Sequence, residues 1–408
     1  MRVVVERNWA RNLTYSAAVV HPRSVDELRA AVRGSRRVHA LGTRHSFTPC
    51  GDAEGAIVVL DRMPLELEVA EDRRTATVGA QVRLGDLGRL LEGHGLAIAN
   101  LPSLPHISLG GAIATPTHGS GDALPMLADL VTGLEVVRAD GRVERVEGPD
   151  LAAETMALGA LGVVLSVSLR VEPAFSITQT SFADLPWDAV VHDLDAVLAA
   201  AYSVSLFTRH DGTVQGALVK SKDGRGSLAP FGARPDRTDP AEIGVDVKHT
   251  ALNEPGPSWD RLPHFRLAAT PSVGEELQSE WFVPRAHAVA ALEALRGMAD
   301  ALDPALHVSE LRSVARDDHH LSPAGGEDVL AIGFTWRDLP ELVLPLLPRV
   351  EERLLPLGGR PHWAKLFAVG PEVLAERYPR WDDWRRRRDL VDADRRFGNP
   401  FVDGLLGA

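Results

Sequence analysis

Over residues 23–34 the apolar positions Leu28, Ala31 and Val32 recur at helical spacing. Pro22 precedes this stretch, and Asp26 and Glu27 fall in its first turn, so it reads as a helix start. The pattern then changes period. Residues 38–42 read as a short strand ending in glycine, and 57–60 and 75–78 as further strands. Residues 84–93 read as a second helix, closed by Gly93 and Gly95. Strand and helix therefore alternate through the first third of the chain. Between 130 and 171 strands dominate: 134–137, a turn at Asp140-Gly141, 143–146 and 163–169. Residues 221–260 hold no sustained period; Gly, Pro, Asp and Arg dominate, which predicts loops. Beyond them strands alternate with amphipathic helices. The stretch 286–302 reads as a strong helix, and 341–355 as a weaker one interrupted by Pro345 and Pro348. No internal repeat is present. The pattern predicts an α+β protein with a first domain over 1–172 and a second over 173–374; a return of the segment from about 375 to 408 to the first domain is expected, though the pattern alone does not show it.

The chain has 408 residues, 45% hydrophobic and 25% charged, which is enough for two globular domains. The net charge of −12 disfavours nucleic acid as a partner, because nothing would offset phosphate repulsion. The one basic run, Arg385 to Arg388, is flanked by Asp382, Asp383 and Asp389 and reads as a solvated helix face or a local ion-pair partner. The single cysteine, Cys50, rules out an intrachain disulfide and fits a reducing cytoplasm. Residues 1–7 carry no apolar run of signal-peptide length, and no stretch approaches the ~20 apolar residues of a membrane span. The expectation is a soluble cytoplasmic protein that engages no membrane.

Two segments carry the candidate chemistry. The first is Thr43-Arg44-His45-Ser46-Phe47. The second runs from Ser103 through Pro105, His106, Ser108 and Gly110-Gly111-Ala112-Ile113-Ala114-Thr115 to His118-Gly119-Ser120-Gly121. Small residues let backbone N–H groups approach an anion closely, so together they read as two halves of a flavin pyrophosphate site. Other motifs fail. No G-x-G-x-x-G follows a strand, and there is no Walker A segment or G-x-S-x-G elbow. His319-His320 is not a zinc motif. The serine between two glycines after His118 more often marks a tight turn than a hydrolase site.

With those residues in view, the chain resembles the vanillyl-alcohol-oxidase-type flavoproteins. Within them it is similar to the bacterial alditol (xylitol) oxidases and, more distantly, to the sugar-1,4-lactone oxidases. The likeness runs from Asn8-Trp9-Ala10-Arg11-Asn12 through both segments above and Ala160 to Val164. It continues through Ala201 to Thr208, Leu262 to Arg266, Glu310-Leu311-Arg312, Phe334-Thr335-Trp336, His362 to Lys365 and Phe397 to Phe401. The resemblance implies a two-part FAD-binding domain and a cap domain whose antiparallel sheet lies over the isoalloxazine. It implies FAD joined covalently through His45, with Ala40, Leu41, Gly42, Thr43, Arg44, His45, Ser46, Ser103, Ser108, Gly111, Ala112, Ile113, Ala114, Thr115 and Val164 as cofactor contacts. Cys50 lies too near His45 for a second link and is expected to be a buried or semi-buried bystander. Pro102 stands where the family controls oxygen access, and a proline there resembles the oxidases.

Glu310 and Arg312 are two residues apart, so on a strand they share a face. Along 329–336, Val329, Ala331, Gly333 and Thr335 share the face suited to a ligand, opposite the bulky Leu330, Ile332, Phe334 and Trp336. Lys365, between Trp363 and Phe367, is expected on a third strand. Oxidising a primary alcohol takes a proton from oxygen, and cations near that oxygen stabilise the alkoxide. Arg312 and Lys365 suit that task, with Lys365 a candidate base. Glu310 would anchor Arg312 and accept hydrogen bonds from substrate, and Ser103 and Thr335 would hold further hydroxyls. By resemblance the catalytic residues are Arg312, Lys365 and Glu310, acting on a small polyol with O2 as second substrate in a monomeric enzyme, and no metal is implied. One departure stands out: close alditol oxidases carry a histidine where this chain has Gly333. A sugar-1,4-lactone oxidase or dehydrogenase, and a flavin- or sugar-binding protein without activity, are the alternative readings.

Overall fold

A computed structural model describes residues 6–15, 17–236, 249–269 and 275–407. The first helix, Val25–Gly34, begins at Ser24, whose hydroxyl accepts the Glu27 N–H at 3.2 Å; Leu28 and Val32 are its buried face. Around it lie β1 (Ala18–Val20), β2 (Val38–Ala40) and β3 (Ala56–Val58), a parallel sheet in the order β1-β3-β2. Next come β4 (Leu67–Val69), β5 (Thr75–Gly79), β6 (Leu96–Ala97), β7 (Val131–Val137), β8 (Val143–Val146), β9 (Val163–Arg170) and β10 (Glu172–Pro173). An antiparallel sheet is built in the order β4-β5-β9-β7-β8, and β6 pairs with β10. Both larger sheets and the helix Leu84–Gly93 share one apolar core, containing Leu28, Val58, Val78, Leu87, Leu134 and Val167.

The second half contributes β11 (Ser176–Pro186), β12 (Ser203–Thr208), β13 (Thr213–Ser221), β14 (Arg234–Asp236), β15 (Pro255–Pro257), β16 (Glu276–Pro284), β17 (Leu306–Val314), β18 (Val329–Arg337) and β19 (Arg360–Pro361). They form one antiparallel sheet in the order β14-β11-β13-β12-β17-β18-β16-β19, with β15 also on β11. The face carrying Leu311, Leu330, Ile332, Phe334 and Trp336 is dry, covered by residues of the helices Trp187–Leu198, Ala288–Arg296 and Leu346–Leu354. That leaves the opposite face for a ligand.

Several boundaries differ from expectation. The helix expected over 286–302 is broken after Arg296 and resumes at Ala299–Leu302. The weaker helix divides into Pro340–Val343 and Leu346–Leu354. Pro345 separates the two; Pro348 is tolerated in the first turn of the second, where its missing N–H would have had no partner. Of the loops expected over 221–260, residues 237–248 lie outside the described residues. The remainder includes β14, β15 and the short helix Ser258–Arg261. The arginine run divides: Arg385 and Arg386 are exposed, with Arg386 paired to Asp383 as expected, whereas the next two turn inwards. Arg388 is buried against Asp403, and Arg387 pairs with Glu154 at 2.8 Å and Asp150 at 3.0 Å.

Arg396 and Phe397 lie against β2. The Val38 N–H donates to the Arg396 carbonyl at 2.8 Å, and His39 Nδ1 lies 2.9 Å from the Phe397 carbonyl. Asn399 Nδ2 donates to the carbonyls of Cys50 at 3.1 Å and Asp52 at 2.9 Å, while its Oδ1 caps the helix Pro400–Leu406.

A buried histidine gives this fold an acid-side weakness. His210 is fully buried between Trp187 and Phe334, and its backbone has φ = 60°. Burial pushes its pKa down to about 4. The unfolded chain binds a proton near pH 6.5 and the folded chain only near 4, so stability is retained above 6.5 and lost as pH falls towards 4. For His210 the loss is about 3 kcal/mol. His210→Asn tolerates the left-handed backbone. The melting temperature of that variant is expected to fall less steeply between pH 6.5 and pH 4 than that of the wild type; parallel curves would refute the assignment.

Candidate active site

A cavity of about 860 Å³ lies between the first-half sheets and the open face of the large sheet. One wall is the loop after β2. Arg44, at φ = 65°, turns the chain there, its carbonyl accepting from the Trp9 N–H at 2.7 Å and its guanidinium reaching Glu6 at 3.0 Å. The next residue, His45, is stacked on the Trp9 indole with ring centroids 5.7 Å apart. Burial, followed by the nearby charge of His106, pushes the His45 pKa down to about 4, leaving a neutral ring at physiological pH. Thr43 joins the two sequence segments: its Oγ1 accepts from the Ser108 N–H at 3.1 Å and lies 3.1 Å from His45 Nδ1.

The residues fit an FAD diphosphate on two counts. Among the described residues, the backbone N–H groups of Gly42 to Ser46 have no hydrogen-bond partner. The buried Ser108 hydroxyl has none either. A diphosphate is bound by such inward N–H and O–H donors. Gly42 suits the approach of the two segments, since a Cβ there would make the Ser108 hydroxyl turn aside. Ala40 to Ser46, Ser103, Ser108, Gly111, Ala112, Ala114, Thr115 and Val164 all line the cavity. Ile113 does not: its side chain belongs to the apolar core behind the wall. Cys50 is buried, as expected.

The opposite wall comes from β16, β17 and β18. Glu310 and Arg312 lie on one face of β17, with Nε of Arg312 3.7 Å from Oε2 of Glu310. The ligand-facing part of β18 is narrower than expected. Gly333 and Thr335 line the cavity, whereas Val329 and Ala331 are buried in a small cluster with Met126, Phe282 and Val314. Lys365 is not on a strand. It stands in a turn after β19 that is laid against β16 by the His362 N–H to Glu280 carbonyl bond and the Leu366 N–H to Gln278 carbonyl bond, both 2.9 Å. Ser103 lies across the cavity, its carbonyl accepting from the N–H of His264 at 2.9 Å.

At the centre is a residue that the sequence pattern does not single out. Glu280, on β16, is 1% exposed. Its Oε1 accepts from Arg312 Nη2 at 2.7 Å, and its Oε2 lies 2.9 Å from Lys365 Nζ. Burial raises the pKa of this carboxyl, but Lys365, Arg312 and His118 outweigh burial and hold it well below the usual carboxylate range. Burial likewise opposes charge on Arg312, yet Glu310 and Glu280 keep the guanidinium firmly protonated. Lys365 thus stands at the cavity wall beside a buried carboxylate, with Arg312 on the other oxygen of the same group. Behind this layer His264 Nδ1 is 3.7 Å from Glu310, and the buried Lys220 is pushed down to about 7 by burial. No local sequence signal marks Glu280, since its strand also carries Glu276, Gln278 and Ser279; only its burial, which demands partners, sets it apart.

A cofactor cradle faced across a cavity by a cationic pair with buried counter-ions defines a flavin-dependent oxidoreductase of the vanillyl-alcohol-oxidase type. Residues 16–147 match the family described as FAD binding domain, and residues 272–405 the family described as D-arabinono-1,4-lactone oxidase. A crystal structure of cholesterol oxidase from B. sterolicum shares the fold, with a TM-score of 0.77 and 16% identity over 98% of this chain and 96% of that one. An alditol oxidase from a Streptomyces species is 41% identical over 98% of both chains. The L-gulono-1,4-lactone dehydrogenase of Mycobacterium tuberculosis is 29% identical over 98% of both. The chain belongs to the alditol oxidase family.

Proposed function

We propose that the protein is an FAD-dependent oxidase that converts the terminal CH2OH of an alditol of the xylitol or sorbitol class to the aldose, with O2 reduced to H2O2. The carrying observation is the Glu310, Arg312, Glu280 and Lys365 cluster on the cavity wall, opposite the unpartnered N–H groups of Gly42 to Ser46. FAD supplies the two-electron acceptor. Arg312 and Lys365 donate to the substrate oxygen as charge develops on it, in a site where burial strengthens each interaction. Glu310 offers a buried oxygen, Oε1, without a hydrogen-bond partner, to a substrate hydroxyl. Ser103 and Thr335 hold further hydroxyls. A polyol hydroxyl both donates and accepts, and unsatisfied site groups penalise substrates that cannot do both.

On this reading His45 carries the covalent flavin, Pro102 guards oxygen access, and the FAD-binding domain spans 1–172 with 375–408, the cap 173–374. The contacts of residues 396–399 with β2 and the Pro49–Asp52 segment support that return. The enzyme is a cytoplasmic monomer; no described helix is long and apolar enough to cross a membrane. The deciding experiment is anaerobic mixing with xylitol, sorbitol and L-gulono-1,4-lactone, followed by air. Bleaching of the flavin by the polyols with rapid recovery supports the reading. Bleaching by the lactone alone moves the protein to the lactone-oxidising branch.

Gly333 carries a prediction of its own. It pairs with Glu280 across β16 and β18, and a Cβ at 333 would stand 3.2 Å from Glu280 Oε1 and 3.6 Å from the Glu310 carbonyl. A histidine there has to displace the carboxylate that orients Arg312. Gly333→His is therefore expected to lower kcat/KM for xylitol by on the order of 10-fold, since small displacements in a positioned site are expensive in rate. A gain in turnover on xylitol would show that the missing ring, not the carboxylate, limits the wild type.

A further inference from the structure

His118 follows the second cofactor segment, lines the cavity and is buried, its ring edge-on to Phe282 at 5.2 Å. Its Nδ1 lies 2.7 Å from the Gly119 carbonyl oxygen. A carbonyl only accepts, so Nδ1 carries the hydrogen of the neutral ring. The other nitrogen, Nε2, then presents a lone pair, and it lies 3.3 Å from Oε1 of Glu280. Two electron-rich, buried atoms thus face each other at a distance that one proton would bridge. Their neighbours explain why the resting pair does without it. Arg312 and Lys365 contact the same carboxylate, at 2.7 and 2.9 Å, and Glu310 and His362 complete the charged or titratable surroundings. Burial and then Arg312 disfavour charge on the His118 ring, while Lys365 and Arg312 hold Glu280 ionised.

A substrate alkoxide changes this balance. As the hydroxyl loses its proton, the oxygen draws on Arg312 and Lys365, and their hold on Glu280 weakens. The event that releases the proton therefore raises the proton affinity of the pair beside it.

We propose that His118 and Glu280 jointly receive the hydroxyl proton of the substrate and hold it between Nε2 and Oε1 until the cofactor is reoxidised. The inference rests on the polyol-oxidising reading. When the O–H bond breaks, its electron pair stays on oxygen and becomes the second C–O bond. The C–H bond breaks with its electron pair and hydrogen passing to FAD, and the hydroxyl proton ends on the pair. In the return step O2 takes two electrons and two protons to give H2O2; one proton comes from the pair and one from the reduced cofactor.

Two measurements test this. In holoenzyme labelled with 15N-histidine, His118 is expected to rest as the Nδ1–H tautomer between about pH 6 and pH 9, its signals assigned by their loss in His118→Gln. In anaerobic reduction by xylitol in weak buffer, an indicator dye is expected to register no proton released by the wild type. His118→Gln and Glu280→Gln are each expected to release about one proton per cofactor reduced, with reduction slowed by on the order of 10²-fold. If Glu280→Gln does not fold, His118→Gln carries the comparison. A wild type that releases one proton per cofactor, or a resting His118 that is Nε2–H or doubly protonated, overturns the proposal. If no polyol reduces the cofactor, the functional reading fails, and the tautomer of the resting protein still decides the pair.

Discussion

Arg312→Met is expected to lower kcat for a polyol by about 10²- to 10³-fold, the loss typical of removing one donor from a preorganised site that stabilises an oxyanion. Two effects combine. The substrate oxygen loses the guanidinium that meets its developing charge. Glu280 and Glu310 also lose a shared counter-ion in a buried setting, and removing one partner of a buried pair costs about 3–5 kcal/mol of stability. Arg312→Lys separates the two effects. It restores the charge but not the two-pronged geometry, so stability should recover further than kcat. Steady-state kinetics beside thermal unfolding of both variants would check this. An Arg312→Met enzyme with wild-type kcat would remove Arg312 from the chemistry.

His45→Ala is expected to abolish covalent flavin while leaving a protein that still binds FAD. The wild type should keep yellow, fluorescent flavin on the denatured chain in a gel, and the variant should release all of it. The argument rests on three features of the ring. It is neutral, with its pKa pushed down to about 4, so a nitrogen lone pair is free. It is held by stacking on Trp9 and by the contact of Nδ1 with Thr43. It projects into the cavity immediately after the left-handed Arg44. Free flavin released from the denatured wild type would refute the linkage. The noncovalent grip of Gly42 to Ser46 and Ser108 is unchanged in the variant, so its FAD should survive gel filtration.

Local pattern makes much of this protein legible. The helix Val25–Gly34 begins two residues after the start read at 23, with Asp26 and Glu27 in its first turn as expected, and Glu310 and Arg312 share a face because strand periodicity requires it. Both cofactor segments are visible as clusters of small residues, and their stitching through Thr43 and Ser108 follows from the same smallness. Non-local relations are not visible in this way. The alternation of Trp363, Lys365 and Phe367 mimics a strand, yet Lys365 sits in a turn fastened to β16 by two backbone bonds. Nothing in its own strand marks Glu280. Its meaning lies in the register that sets it opposite Gly333 and in side chains from β17 and the turn after β19, 32 and 85 positions away in sequence. The break after Arg296 is likewise hidden, since Gly297 and Met298 interrupt a run whose apolar spacing continues into Leu302.

The contact of residues 396–399 with β2 has a consequence for the life of the molecule. The loop that carries His45 leaves β2, and β2 finds partners in the Arg396 and Phe397 carbonyls, while Asn399 fastens the Pro49–Asp52 segment just beyond. On the ribosome Phe397 emerges 358 residues after His39. The cradle around His45 is therefore completed only once residues 396–399 are available, and capture of FAD waits for them rather than following the folding of the first half. A nascent chain arrested before residue 396 should be colourless however much FAD surrounds it.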